Sequence, residues 1–171
     1  MNGRYERFAN VKSEDGPAAT GLDTSVIIAG VLTWHQHHEA AAKELTVLLS
    51  SPAEVILPLQ ALVEAYSVMT RLPSPHRLSG KDALDILEGS LKERATVVGL
   101  DGEEGWELIS DLSRRQIAGS TSYDGLIVSC ARKGGARRIL TFNRAHFERL
   151  GPDRIEIVVP EISDPEPDDP Q

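Results

Sequence analysis

Three carboxylates and one amide stand in this chain where side chains do chemistry: Asp23, Glu64, Asp124 and Asn143. Asp23 directly follows the first predicted strand and opens the run Asp23–Thr24–Ser25–Val26–Ile27–Ile28, which puts its carboxylate at the carboxyl edge of a sheet, a ligand-site position. Asp is also a good N-cap for the helix that follows, and neither role excludes the other. Glu64 lies in PLQALVEAYSVMTRL, where Leu59, Leu62, Val63, Tyr66 and Met69 mark a buried stripe and Gln60, Glu64, Ser67 and Arg71 an opposite polar one. Taken alone, it reads as a solvated glutamate. Asp124 belongs to the first turn of a helix that Thr121 or Ser122 can cap, where the helix dipole favours an acid by ~0.3–1 kcal/mol. Asn143 stands two residues beyond Thr141, at a strand exit, and is placed to cap the short helix ahead.

The elements that must position these residues alternate along the chain. Short β-branched runs predict strands at 19–23, 54–57, 96–99, 138–141 and 155–159. Helical patterns fill the gaps at 25–32, 37–50, 59–71, 81–92, 103–115, 122–133 and 144–150. Strands this short and apolar have no face to offer water. They predict a mainly parallel central sheet of four to five strands covered on both sides, a three-layer α/β/α sandwich.

At 171 residues, 40% apolar and 26% charged, the chain has the size and composition of one globular domain, with no need of disulfides or structural metals. Its longest apolar run, around Val26–Ala29, is far short of a membrane span. The domain is expected over 20–160, between a flexible extension at 1–19 and an acidic, Pro-rich tail at 161–171. The start lacks the basic-then-apolar order of a secretory signal, and Cys130, the single cysteine, cannot form an internal disulfide; both favour the cytoplasm. Net charge is -8, but the tail holds five acids and no base, leaving -3 for the rest. From Arg114 to Arg154 nine basic residues stand against three acids, a local +6 that suits a polyanion and equally suits scattered solvated charges.

Asp-Thr-Ser after the first strand, the helical Glu64, the Tyr123–Asp124–Gly125 helix start and the strand exit Thr141–Phe142–Asn143–Arg144–Ala145–His146–Phe147 come in one order, with the four polar positions separated by steps of 41, 60 and 19 in residue number. In this ordered set the chain resembles the PIN-domain ribonucleases, most of all the VapC toxins of toxin–antitoxin pairs, over about residues 20–159. The resemblance implies a Mg²⁺-dependent (or Mn²⁺-dependent) endoribonuclease of the PIN fold. Asp23, Glu64 and Asp124 would be its metal ligands and Asn143 a fourth catalytic position. It also implies a homodimer and a cognate antitoxin, and a cut that leaves a 5′-phosphate. Carboxylates gathered at one sheet edge repel one another unless a hard cation neutralises them, and that cation can activate water and orient a phosphodiester. The fourth position, often Asp in the wider family, is Asn143 here, which subtracts a charge and favours one tightly held ion over two. Ser25 is a candidate outer-sphere ligand. Arg114, Arg115, Arg137, Arg138 and Arg144 are candidates for phosphate contact.

Other residues invite other readings. Trp34–His35–Gln36–His37–His38–Glu39 suggests zinc, but its histidines lack the i, i+4 pairing that puts two imidazoles on one helical face. Trp106, Ile109 and Leu112 recur at helical spacing as core, and Cys130 reads as a small buried hydrophobe. Two alternative functions remain: a catalytically decayed PIN-fold RNA-binding module, and an Asp23-nucleophile phosphatase or phosphotransferase. The latter wants a second Asp two residues on, where Ser25 stands.

Overall fold

Five short strands, β1 (Thr20–Leu22), β2 (Val55–Pro58), β3 (Thr96–Val98), β4 (Arg138–Leu140) and β5 (Glu156–Val158), form one sheet in the order β3-β2-β1-β4-β5, with every pairing parallel. The computed structural model describes residues 18–161. Residues 1–17 of the extension expected over 1–19, and residues 162–171 of the tail expected over 161–171, lie outside the described residues. Seven α-helices are described: α1 (Thr24–Val31), α2 (His38–Ser50), α3 (Leu59–Arg71), α4 (Gly80–Leu87), α5 (Gly102–Arg114), α6 (Thr121–Lys133) and α7 (Arg144–Arg149). A π-helical turn, Glu88–Lys92, prolongs α4. The result is a three-layer α/β/α sandwich in which α6 lies across β1, β2 and β3, and α7 packs on β5. None of the described helices is long and apolar enough to cross a membrane.

Strand order explains where a ligand can enter. The chain steps from β1 to β2 to β3 in one direction, then returns to the other side of β1 with β4, so the order reverses between β1 and β4. Connections leave in opposite directions there and open a crevice beyond the carboxyl ends of the two strands. Both strands are short: residues 20–22 are fully buried, and Ile139 and Leu140 with them. Their exits are thereby held rigidly by the core, in which Phe147, Leu22, Ile27 and Ile56 are sealed from solvent.

Three expectations from the sequence are corrected. The edge strands do face water, with Val97 of β3 50% exposed, because an edge strand has a neighbour on only one side. On α3 three of the five residues expected in the buried stripe, Leu59, Val63 and Tyr66, are exposed; Met69 is buried as expected and Leu62 partly so, and the other buried residues are Ala61 and Ala65. That helix packs against α1, α4 and α6, and close helix approach selects small side chains at the contact. On α5 only Leu112 of the supposed core trio is buried; Trp106 is 77% and Ile109 54% exposed. The helix is held instead at its start by a capping box between Asp101 and Glu104. Cys130 is buried, as read.

The inversion on α5 carries a stability consequence. Leu112→Ala should destabilise the domain by about 2–5 kcal/mol. Trp106→Ala should change it by less than about 0.5 kcal/mol at concentrations where the chain is monomeric. Urea denaturation of the two variants checks the contrast.

Candidate active site

Asp23 leaves β1 and caps α1, accepting the backbone N–H of Ser25 at 3.4 Å. Its Oδ2 also accepts the hydroxyls of Ser25 at 2.6 Å and Thr141 at 2.7 Å. The residue is 2% exposed, yet no hydrogen bond falls on Oδ1. Since no buried side-chain oxygen among the described residues lacks a partner, Oδ1 reaches the cleft. Asp23 is thus a helix cap and a cleft carboxylate at once. Thr141, at the exit of β4, also accepts the backbone N–H of Asn143 at 2.9 Å, and Ser25 Oγ accepts that of Phe142 at 3.0 Å. These hydroxyls staple the β1 exit to the β4 exit across the switch point.

Glu64 comes from the middle of α3, half-buried, with Oε2 accepting the Thr24 hydroxyl at 2.9 Å. Asp124 comes from the first turn of α6, its side chain 17% exposed, 3.5 Å from Nδ1 of His146 on α7. The N-cap of α6 is Ser120 without a side-chain bond; the Ser122 hydroxyl turns back to the carbonyl of Gly119. Asp23, Glu64, Asp124 and Asn143 line one cleft of about 430 Å³. Asn143 is exposed at its rim, at the N-cap of α7 but with no side-chain cap bond. Burial, and the negative charges of Asp23 and Glu64 beside it, raise the Asp124 pKa, with His146 opposing them.

Among the described residues no group of three or more His, Cys, Asp or Glu side chains is gathered closely enough to enclose an ion. Asp23 gives one oxygen to two neighbouring hydroxyls and Glu64 gives one oxygen to a third. The donor set is nevertheless oxygen throughout and anionic at three positions, which fits a hard divalent cation that keeps several of its waters.

The arginines are not brought together. Arg137 and Arg138 stand at the beginning of β4, the amino edge, where Arg138 Nε donates to the Thr20 hydroxyl at 2.7 Å. Arg114 and Arg115 both pair with Asp111, and Arg115 also donates to the Leu150 carbonyl. Only Arg144, next to Asn143 and 3.4 Å from Glu148, adjoins the cleft in sequence. Sequence reasoning missed Thr24, Thr141 and His146 as partners of the carboxylates. The first two were signalled only by lying one and two residues from polar positions already singled out.

The PIN domain family matches residues 22–151. The chain belongs to the PIN-domain family. It is 35% identical over 137 residues to "Ribonuclease VapC40" of Mycobacterium tuberculosis, covering 79% of this chain and 94% of that protein. Among solved structures, the sarcin-ricin loop cleaving toxin VapC20 of Mycobacterium tuberculosis superposes with a TM-score of 0.61 at 20% identity, over 77% of this chain and 95% of that one. VapBC2 from Rickettsia felis, bound to a DNA fragment from its promoter, gives a TM-score of 0.59 at 18% identity, over 84% and 99%.

Because the folded-state pKa of Asp124 lies above its unfolded value, the folded chain holds the proton more tightly, and stability falls as pH rises through that window. Asp124→Asn should therefore stabilise the metal-free protein at pH 8. The gain should shrink as the pH falls through the raised folded-state range and vanish below the ordinary aspartate range, where Asp124 is protonated in both states. Urea denaturation across that pH range is the measurement; an Asn variant no more stable than wild type at pH 8 would contradict it.

Proposed function

We propose that this protein is a divalent-metal-dependent endoribonuclease of VapC type, the toxin of a toxin–antitoxin pair. The observation that carries the reading is the meeting of Asp23, Glu64 and Asp124, from three separate elements, in one cleft at the switch point of a PIN-family sheet. Identity to a protein named ribonuclease over most of both chains supports RNA as the substrate. The likeness to VapBC complexes supports an antitoxin partner.

Asp23, Glu64 and Asp124 would hold the cation, Mg²⁺ or Mn²⁺, with Asn143 contributing at the rim. Bound there, the cation supplies the positive charge that neutralises the carboxylates and polarises the scissile phosphodiester. The chain's own part is to hold the donors still. Ser25 and Thr141 orient Asp23, Thr24 orients Glu64 and His146 orients Asp124. Hydrolysis would form a bond from a water oxygen to phosphorus and break the bond to the 3′ oxygen, a proton from that water ending on the 3′ oxygen, so the products would be a 5′-phosphate and a 3′-hydroxyl and the 2′-hydroxyl would take no part. Arg144 is the arginine best placed to meet the RNA backbone.

The uncovered apolar side chains of α3 and α5 support association, and we assign them to protein contacts, with a second copy of this chain and with the antitoxin. The reading places the protein in the cytoplasm with its substrate.

Asp23→Asn and Asp124→Asn should each reduce RNA cleavage by at least about two orders of magnitude while leaving the circular dichroism spectrum of the wild type. Chelation should abolish wild-type cleavage, and added Mg²⁺ or Mn²⁺ should restore it. Cleavage that survives chelation, or either substitution, refutes the metal-site assignment.

A further inference from the structure

Phe, Trp and Tyr make up only 5% of the chain, and it has five histidines, yet rings collect at the mouth of the acidic cleft. His35, His37 and Phe142 line it. Trp34 packs on His76 at 4.1 Å between ring centroids. The His37 imidazole lies nearly flat on the Phe142 ring, with centroids 4.6 Å apart and planes 18° from parallel. Phe142 is half-buried and packed against the core, whereas His37 is exposed. The imidazole is backed by a half-buried ring, with the His35 ring tilted beside it at 5.7 Å between centroids, and as a residue His37 remains exposed.

The mount is rigid. His35 donates its backbone N–H to the Leu32 carbonyl at 2.9 Å, His38 donates to the His35 carbonyl at 2.8 Å, and the His38 ring Nδ1 lies 2.9 Å from the Ala29 carbonyl oxygen. The backbone N–H of His37 donates to His35 Nδ1 at 3.2 Å. That nitrogen must be unprotonated to accept, and burial with the neighbouring His37 and His38 lowers the His35 pKa accordingly. On the other side, the Phe142 backbone reaches Asp23 through the Ser25 hydroxyl, two hydrogen bonds in all. The stacked pair is therefore registered against the carboxylate that takes part in the chemistry.

An RNA with one phosphodiester at the carboxylates must put the neighbouring base somewhere, and a flat, exposed, pre-ordered ring beside the site offers a face of the right kind. Gln36, exposed, sets its Nε2 3.3 Å from His37 Nε2, at the edge of that face where the polar rim of a base would come. We infer that the His37–Phe142 stack is the platform for an unpaired RNA base adjoining the scissile phosphodiester, with Gln36 at its edge. This rests on the ribonuclease reading and adds a residue-level account of how the substrate is seated. Bases inside a duplex have both faces covered by their neighbours, so the platform selects unpaired RNA.

The test uses the full-length protein with Mg²⁺ and a set of mixed-sequence single-stranded RNAs, each carrying 2-aminopurine at a different position. Wild type should quench the probe at one position relative to the cut. His37→Ala should remove that quenching and raise KM about tenfold with kcat little changed, the mark of lost ground-state binding. His37→Phe should restore both. Since His37 is exposed, the variants should fold, which circular dichroism verifies. Equal quenching and KM in wild type and His37→Ala overturns the platform, as does a His37→Phe variant that fails along with His37→Ala. If wild type neither cleaves nor quenches any RNA of the set, the ribonuclease reading itself falls, separately from the platform.

Discussion

Asp23 carries a carboxylate that is 2% exposed at the point where the strand order reverses, and burying such a charge costs several kcal/mol unless donors surround it. Ser25 and Thr141 supply those donors, one from the helix that Asp23 itself caps and the other from the end of β4. Electrostatic need thus becomes mechanical coupling. To solvate one oxygen of Asp23, the exits of β1 and β4 must lie side by side, and the same two hydroxyls then take the backbone N–H groups of Phe142 and Asn143. Most of the cleft's geometry follows from satisfying that single buried group.

The remaining acids are held less fully. Glu64 has a threonine hydroxyl and Asp124 a histidine, and burial first, then the charges of Asp23 and Glu64, push the Asp124 pKa up. Such repulsion lowers the stability of the chain by itself and is relieved by a cation, which is how a folded protein stores affinity for one. Asn143 at the rim spares the cluster a fourth charge.

Helix packing explains the apolar side chains on the outside. Where α3 meets its neighbours the buried residues are Ala61, Ala65 and Met69, so the larger Leu59, Val63 and Tyr66 are left outward; α5 likewise presents Trp106 and Ile109. Close packing at the contact and an apolar outer face are two results of one choice of helix rotation. The apolar set so exposed stays uncovered in the single chain.

Periodicity and β-branched runs determined the element order, because short buried strands alternating with helices admit few folds other than a covered parallel sheet. Strand exits marked Asp23 and Asn143 and a helix first turn marked Asp124, since these are local features that a sequence displays directly, whereas mid-helix Glu64 stood out only within the ordered set that resembles the PIN family. Tertiary structure alone decided three things. It set which face of α3 and α5 is buried, because rotation about a helix axis depends on the neighbours' shapes and not on hydropathy alone. It turned Arg137 and Arg138 away from the cleft, because a strand of three residues separates the two edges of the sheet. And it brought His37 onto Phe142, a contact between residues 105 positions apart that no local pattern encodes and that exists only because β4 returns to lie beside β1.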